Sequence, residues 1–146
     1  MKGTPEDGTM GEIRVKVLLT NAADDALHRR KKLSAKKVRR YEADAMIDTG
    51  SVRSVIPVHV LEKLGLELRA TRVVELADGR RETVGVSEAL LFEVMGRDTL
   101  EDAYVLGDEV LLGQTFLETT DLHADSRNQR LVPNPAHPDQ PVFKLK

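Results

Sequence analysis

An all-β domain, closed or nearly closed into a barrel, is the fold class this sequence predicts, and three observations predict it. Apolar residues recur at period two in several short runs, as in Ile13, Val15, Val17 and Leu19. Turn-forming residues punctuate those runs at Asp78-Gly79 and Gly96-Arg97-Asp98. Segments with helical spacing are short and few, so one or two short helices are expected beside the strands.

A chain of 146 residues suffices for one hydrophobic core, and no internal repeat divides it. Aromatic residues make up only 3%, so Val, Leu and Ile must fill that core. Without cysteine, the chain has no disulfide, thiol or Cys-zinc chemistry open to it. No signal peptide or membrane-length apolar stretch is evident, which makes a cytoplasmic location the expectation, with no membrane partner. The net charge of -2 is unremarkable, but its distribution is uneven, with cations concentrated between Arg29 and Arg40.

Taken in order, residues 1–11 lack apolar periodicity and form an expected flexible leader, in which Met10 offers an alternative start. Ile13 to Leu19 reads as a half-buried strand, and Asn21 to Asp25 as a turn. Residues 26–40 form a basic insert around Leu27, Leu33 and Val38, expected as a short surface helix or a long polar loop. A solvated face accounts for such a charge run, and the lack of interleaved aromatic residues argues against nucleic acid as its partner.

Tyr41 to Ile47 is a second strand and Val52 to Ile56 a third. Pro57 can open a helix without losing a needed donor; Val58, Leu61, Leu64 and Leu66 give its stripe, and Gly65 ends it. Val73, Val74 and Leu76 lead into Asp78-Gly79, which favours a two-residue hairpin turn. Val84 to Val94 keeps period two, with Glu88 as an interruption, and is read as one long strand pairing back on its predecessor. Ala103 to Leu106, Leu111 to Gly113 and a final hairpin of Leu122–Asp125 with Arg130–Val132 supply further strands, with a short helix over Thr115–Thr119. Residues 12–133 thus make one domain, followed by a Pro-rich tail, 134–146, in which Val142 to Leu145 could pair at a sheet edge.

The chemistry-bearing stretch is Ala43 to Ser51. An apolar run ends in Asp48-Thr49-Gly50-Ser51, placing a carboxylate at a strand end beside a glycine that leaves room for a tight turn or a close reactant. By themselves these four residues also suit a turn whose Asp binds its own backbone.

Asp48 to Ser51 resembles the D-[ST]-G-[AST] signature of aspartic proteases, and Val110 to Leu117 resembles the strand and helix that this family sets beneath its catalytic loop. Leu76 to Arg80 falls where the family has its flap hairpin. The resemblance runs from Gly11 to Pro133 and, with one motif per chain, is to the retropepsin-like, single-domain members, which build their site across a two-fold axis. It implies a homodimer acting on a peptide or protein substrate through an Asp48 pair, with no metal or organic cofactor. It also implies roles: Thr49 bracing the partner's loop, Gly50 giving a water room, Ser51 bonding the outer carboxylate oxygen, and Leu111, Leu112 and Gly113 supporting the site from below. Ala77, Asp78, Gly79 and Arg80 become the flap tip, and the tail a candidate dimer contact. Two departures stand out: Arg80, Arg81 and Glu82 charge a flap that is commonly apolar, and Gln114 follows Gly113 where relatives often carry a charge.

Competing sites are weaker. His123 and Asp125 lack further spaced ligands for a metal, and no Gly-rich phosphate loop precedes a helix. A triad around Ser51 has no His near it in sequence. Two alternatives of other classes stay open: a catalytically silent dimer of the same fold that binds peptides or a protein partner, and a nucleic-acid-associated adaptor built on the basic insert.

Overall fold

The computed structural model describes residues 12–145, so the expected leader lies outside the described residues. Eleven strands and three α-helices follow in chain order: β1 (Arg14–Asn21), α1 (Ala22–Arg29), β2 (Arg40–Ile47), β3 (Val55–Ile56), α2 (Val58–Lys63), β4 (Leu68–Glu75), β5 (Arg81–Ser87), β6 (Leu90–Val94), β7 (Arg97–Glu101), β8 (Tyr104–Val105), β9 (Leu111–Leu112), α3 (Gln114–Thr120), β10 (Leu122–Asp125) and β11 (Arg130–Pro133). Nine strands form one sheet in the order β4-β5-β8-β3-β9-β2-β1-β6-β7, and β10-β11 is a separate hairpin. The all-β class holds. The barrel is half open, with β4 and β7 as its edges, because β4 runs out along an exposed hairpin while α3 packs against β7.

Packing explains the strands. Val17 and Leu19 of β1, Ala43 and Ala45 of β2 and Phe92 of β6 all point into one aliphatic core. Its centre holds Phe92 and Phe116, fully buried with ring centroids 6.2 Å apart. Among the described residues no helix is long and apolar enough to cross a membrane.

Local readings differ from the structure where a tertiary partner intervenes. Asn21 to Asp25 is the start of α1 rather than a turn: Asn21 accepts the Asp24 N–H at 3.0 Å as an N-cap, and Asp24 and Asp25 oppose the helix dipole from the first turn. The basic insert combines the two expected forms, a helix to Arg29 and then an irregular run with a 3-10 turn at Ala35–Lys37. Asp24 pins it, accepting from the Arg39 backbone N–H, Nε and Nη2 at 3.0, 2.8 and 3.0 Å.

The expected strand Val52–Ile56 shrinks to β3, since Ser51 to Ser54 bond to the start of α3 instead. The single long strand Val84–Val94 is two. β5 pairs with β4 and β8, and β6 with β1 and β7, the chain changing neighbours at Glu88-Ala89. The following turn is Met95-Gly96, both at positive φ, which places Arg97 and Asp98 in the unforeseen β7. Three α-helices exceed the one or two expected, and residues 142–145 form no strand.

Candidate active site

The site is built on β2. Its last residues pair in parallel with β9, Met46 opposite Leu111 and Ile47 opposite Leu112, and the Asp48 N–H continues the ladder by donating to the Leu112 carbonyl at 2.9 Å. Asp48 therefore stands at a strand end, half-buried, on backbone fixed from both sides. The chain then turns tightly. Ser51 N–H donates to the Asp48 carbonyl at 3.1 Å, and Gly50 N–H donates to Asp48 Oδ1 at 3.1 Å, so the carboxylate accepts from its own loop.

Residues 51–54 are seated on the beginning of α3. Gln114 N–H donates to the Ser51 carbonyl at 2.8 Å, Thr115 N–H to the Val52 carbonyl at 2.9 Å, and Gly113 N–H to Ser54 Oγ at 3.1 Å. These bonds satisfy amides that a helix start leaves without intrahelical partners. Gly113 is required here for space: a Cβ would meet the Arg53 carbonyl oxygen at 2.7 Å and that of Ser51 at 2.8 Å. Leu112 is fully buried beneath the loop, and Leu111 contributes to the cleft above it. The Ser51 hydroxyl donates to the Arg53 carbonyl at 2.7 Å, not to the Asp48 carboxylate as the resemblance implied.

Asp48 lines a cleft of about 840 Å³ together with the hairpin arm, Val73 to Ala77, and with Tyr104 and Leu106 to Glu109. The β4-β5 hairpin and Asp48 thus share one cleft within one chain. Its tip is a three-residue loop rather than the two-residue turn expected: Leu76 and Arg80 pair through Leu76 N–H to the Arg80 carbonyl at 2.7 Å, and of the loop residues Ala77, Asp78 and Gly79 only Gly79 has positive φ, at 87°. Ala77 faces the cleft, while Asp78, Gly79 and Arg80 do not line it. Bonds from the Arg80 side chain and backbone N–H hold the exposed Asp78 carboxyl below its usual range.

Thr49 is exposed and borders a separate depression with Gln114, Leu117 and His123, away from the Asp48 cleft. Among the described residues no group of three or more acidic or histidine side chains is arranged to hold a metal ion. Sequence reasoning missed Arg53, Ser54 and Asp108. Arg53 lines the cleft and is bound through its guanidinium to Asp102, 49 residues away, a pairing without any local signature.

This fold and this loop are those of the retropepsin-like aspartic proteases. The aspartyl protease family model matches residues 36–116, and the chain belongs to that family. Among solved structures it is similar to the retroviral protease-like domain of Ddi1 from Leishmania major, with a TM-score of 0.51 and 15% identity over 84% of this chain and 90% of that one. It also matches the protease of simian foamy virus (mac), with a TM-score of 0.45 and 17% identity over 71% of this chain and 90% of that one. No curated protein matches the sequence.

Proposed function

We propose that this chain is an aspartic endopeptidase that works as a homodimer, with one Asp48 from each protomer forming the catalytic pair. The observation that carries the reading is Asp48 itself, half-buried at a rigid strand end and opening onto a cleft spanned by a hairpin. Two carboxylates brought close cannot both ionise, so the pair holds one proton between them, and its titration belongs to the pair. The ionised Asp48 takes a proton from water as its oxygen attacks the peptide carbonyl carbon. The protonated Asp48 gives its proton to the carbonyl oxygen. Collapse of the tetrahedral diol breaks the C–N bond: the Asp48 that took the water proton gives it to the leaving nitrogen, and a diol hydroxyl returns its proton to the other Asp48, restoring the singly protonated pair.

In this reading Thr49, on the far side of the loop from the cleft, braces the partner's loop, Gly50 leaves space over the carboxylate, and the residues at Ala77 to Arg80 close over substrate as a flap. The Pro-rich tail contributes to the dimer contact. Asp48→Asn is the test. It should leave the oligomeric state unchanged and abolish cleavage of an unfolded protein substrate at mildly acidic pH. Normal cleavage by the variant would remove the assignment.

A second reading has one observation in its favour. The Ser51 hydroxyl is occupied by the Arg53 carbonyl instead of supporting the Asp48 carboxylate, which suits a silent module that binds extended peptides. Wild-type protein that binds such peptides and cuts none at any pH between about 3 and 8 would establish it.

A further inference from the structure

We infer that the cleft selects cationic peptides, namely extended segments with aliphatic residues at the centre and Lys or Arg near them. This deepens the protease reading and rests on it for the cleavage step, but the charge argument concerns binding alone.

Apolar side chains wall the cleft, among them Val73, Val74, Leu76, Tyr104, Leu106 and Leu111. Val73 is 68% exposed, a surface that an occupant would cover. The charged residues of the lining are mostly acidic: Asp48, Glu75, Asp108 and Glu109 against one cation, Arg53. That cation is paired with Asp102, a carboxylate it shares with Arg69 at 3.5 Å.

The carboxylates differ in how far they are paired. Glu109 has Arg14 at 3.0 Å, and Glu75 has Arg81 only at 3.6 Å with both side chains more than 60% exposed. Asp108 has no ion-pair partner among the described residues and is exposed at the cleft end. An extended peptide laid along the walls therefore meets negative charge at both the hairpin side and the Tyr104–Glu109 side. A Lys or Arg side chain satisfies this geometry well, its stem on the apolar wall and its charged head among the carboxylates. An acidic peptide meets repulsion at the same points.

The test uses the wild-type protein with fluorescent peptides of equal length, sharing an aliphatic centre and differing only in basic, neutral or acidic flanks. Binding is read by anisotropy and cleavage by kcat/KM. Affinity should fall in the order basic, neutral, acidic, spanning about tenfold for several exposed charge pairs, and the span should narrow between about 50 mM and about 500 mM salt as the charges are screened. Asp108→Asn and Glu75→Gln should each reduce the basic-to-acidic ratio severalfold. Equal or inverted affinities, or no binding of any peptide, would overturn the inference. The basic-first binding order with no cleavage would sustain the inference while defeating the protease reading. Cleavage without a flank preference would do the reverse.

Discussion

Gly113 and Ser51 are in such close backbone contact that a Cβ on the glycine would lie 2.8 Å from the Ser51 carbonyl oxygen, with the Arg53 carbonyl oxygen at 2.7 Å. Backbone crowds the glycine on this side, so neither neighbour can swing away as a long side chain could. Gly113→Ala should therefore displace the loop carrying Asp48 and destabilise the fold by about 1–3 kcal/mol, the usual cost of overpacking. Urea denaturation would measure the loss, and under the proposed function peptide cleavage should fall in parallel. An unchanged urea midpoint would mean that the loop relaxes freely.

The basic insert hangs on one carboxylate. Asp24 is 5% exposed and takes three hydrogen bonds from Arg39, whose side chain lowers the Asp24 pKa more than its backbone N–H or its charge does. Asp24→Ala leaves these donors unmatched, with an expected loss of about 1–3 kcal/mol for charge-assisted bonds that are partly solvated. Hydrogen exchange should show faster opening of residues 30–39 first, while the β1-β2 ladder stays protected.

Acid should act on the tail at Asp121. Its carboxylate accepts from Asn134 Nδ2 at 2.9 Å, from the Val142 N–H at 3.1 Å and faces His137 Nδ1 at 2.7 Å; the Asn134 bond leads in holding its pKa down to about 2. A folded-state pKa below the unfolded value of about 3.9 means that the stabilisation is complete above that value and is lost as pH falls through about 2. Protease nicking of residues 134–145 should accelerate across that window. Asp121→Asn should show the faster nicking already at neutral pH.

Core packing sets the ceiling on stability. Phe92 is fully buried against Phe116, and Phe92→Ala should cost about 3–5 kcal/mol. Thermal unfolding of the variant would measure this. A loss below about 1 kcal/mol would show that the aliphatic neighbours collapse into the space.

Local readings that the structure meets depend on residues adjacent in sequence or on a backbone conformation that one residue type favours: the tight turn after Asp48, the close backbone approach at Gly113 and the helix stop at Gly65. Period-two alternation located β1 and the stretch that holds β5 and β6, although as one strand, for the same reason. Asn21 misled because an N-cap and a turn use the same side-chain bond to backbone, and only the following helix tells them apart. Met95 misled because nothing in its side chain favours the positive φ it adopts.

The amino-acid order alone carried the fold class, through hydrophobic periodicity and turn residues, and the family resemblance, through the motif from Asp48 to Ser51 and the order of the segments that follow it. Only folding in three dimensions decided that the run through Val84 and Val94 splits between two sets of neighbours, that Arg53 pairs with Asp102, and that Asp48 and the hairpin arm line one cleft. Those outcomes rest on contacts between residues tens of positions apart, and no local pattern encodes which distant partner a side chain will meet.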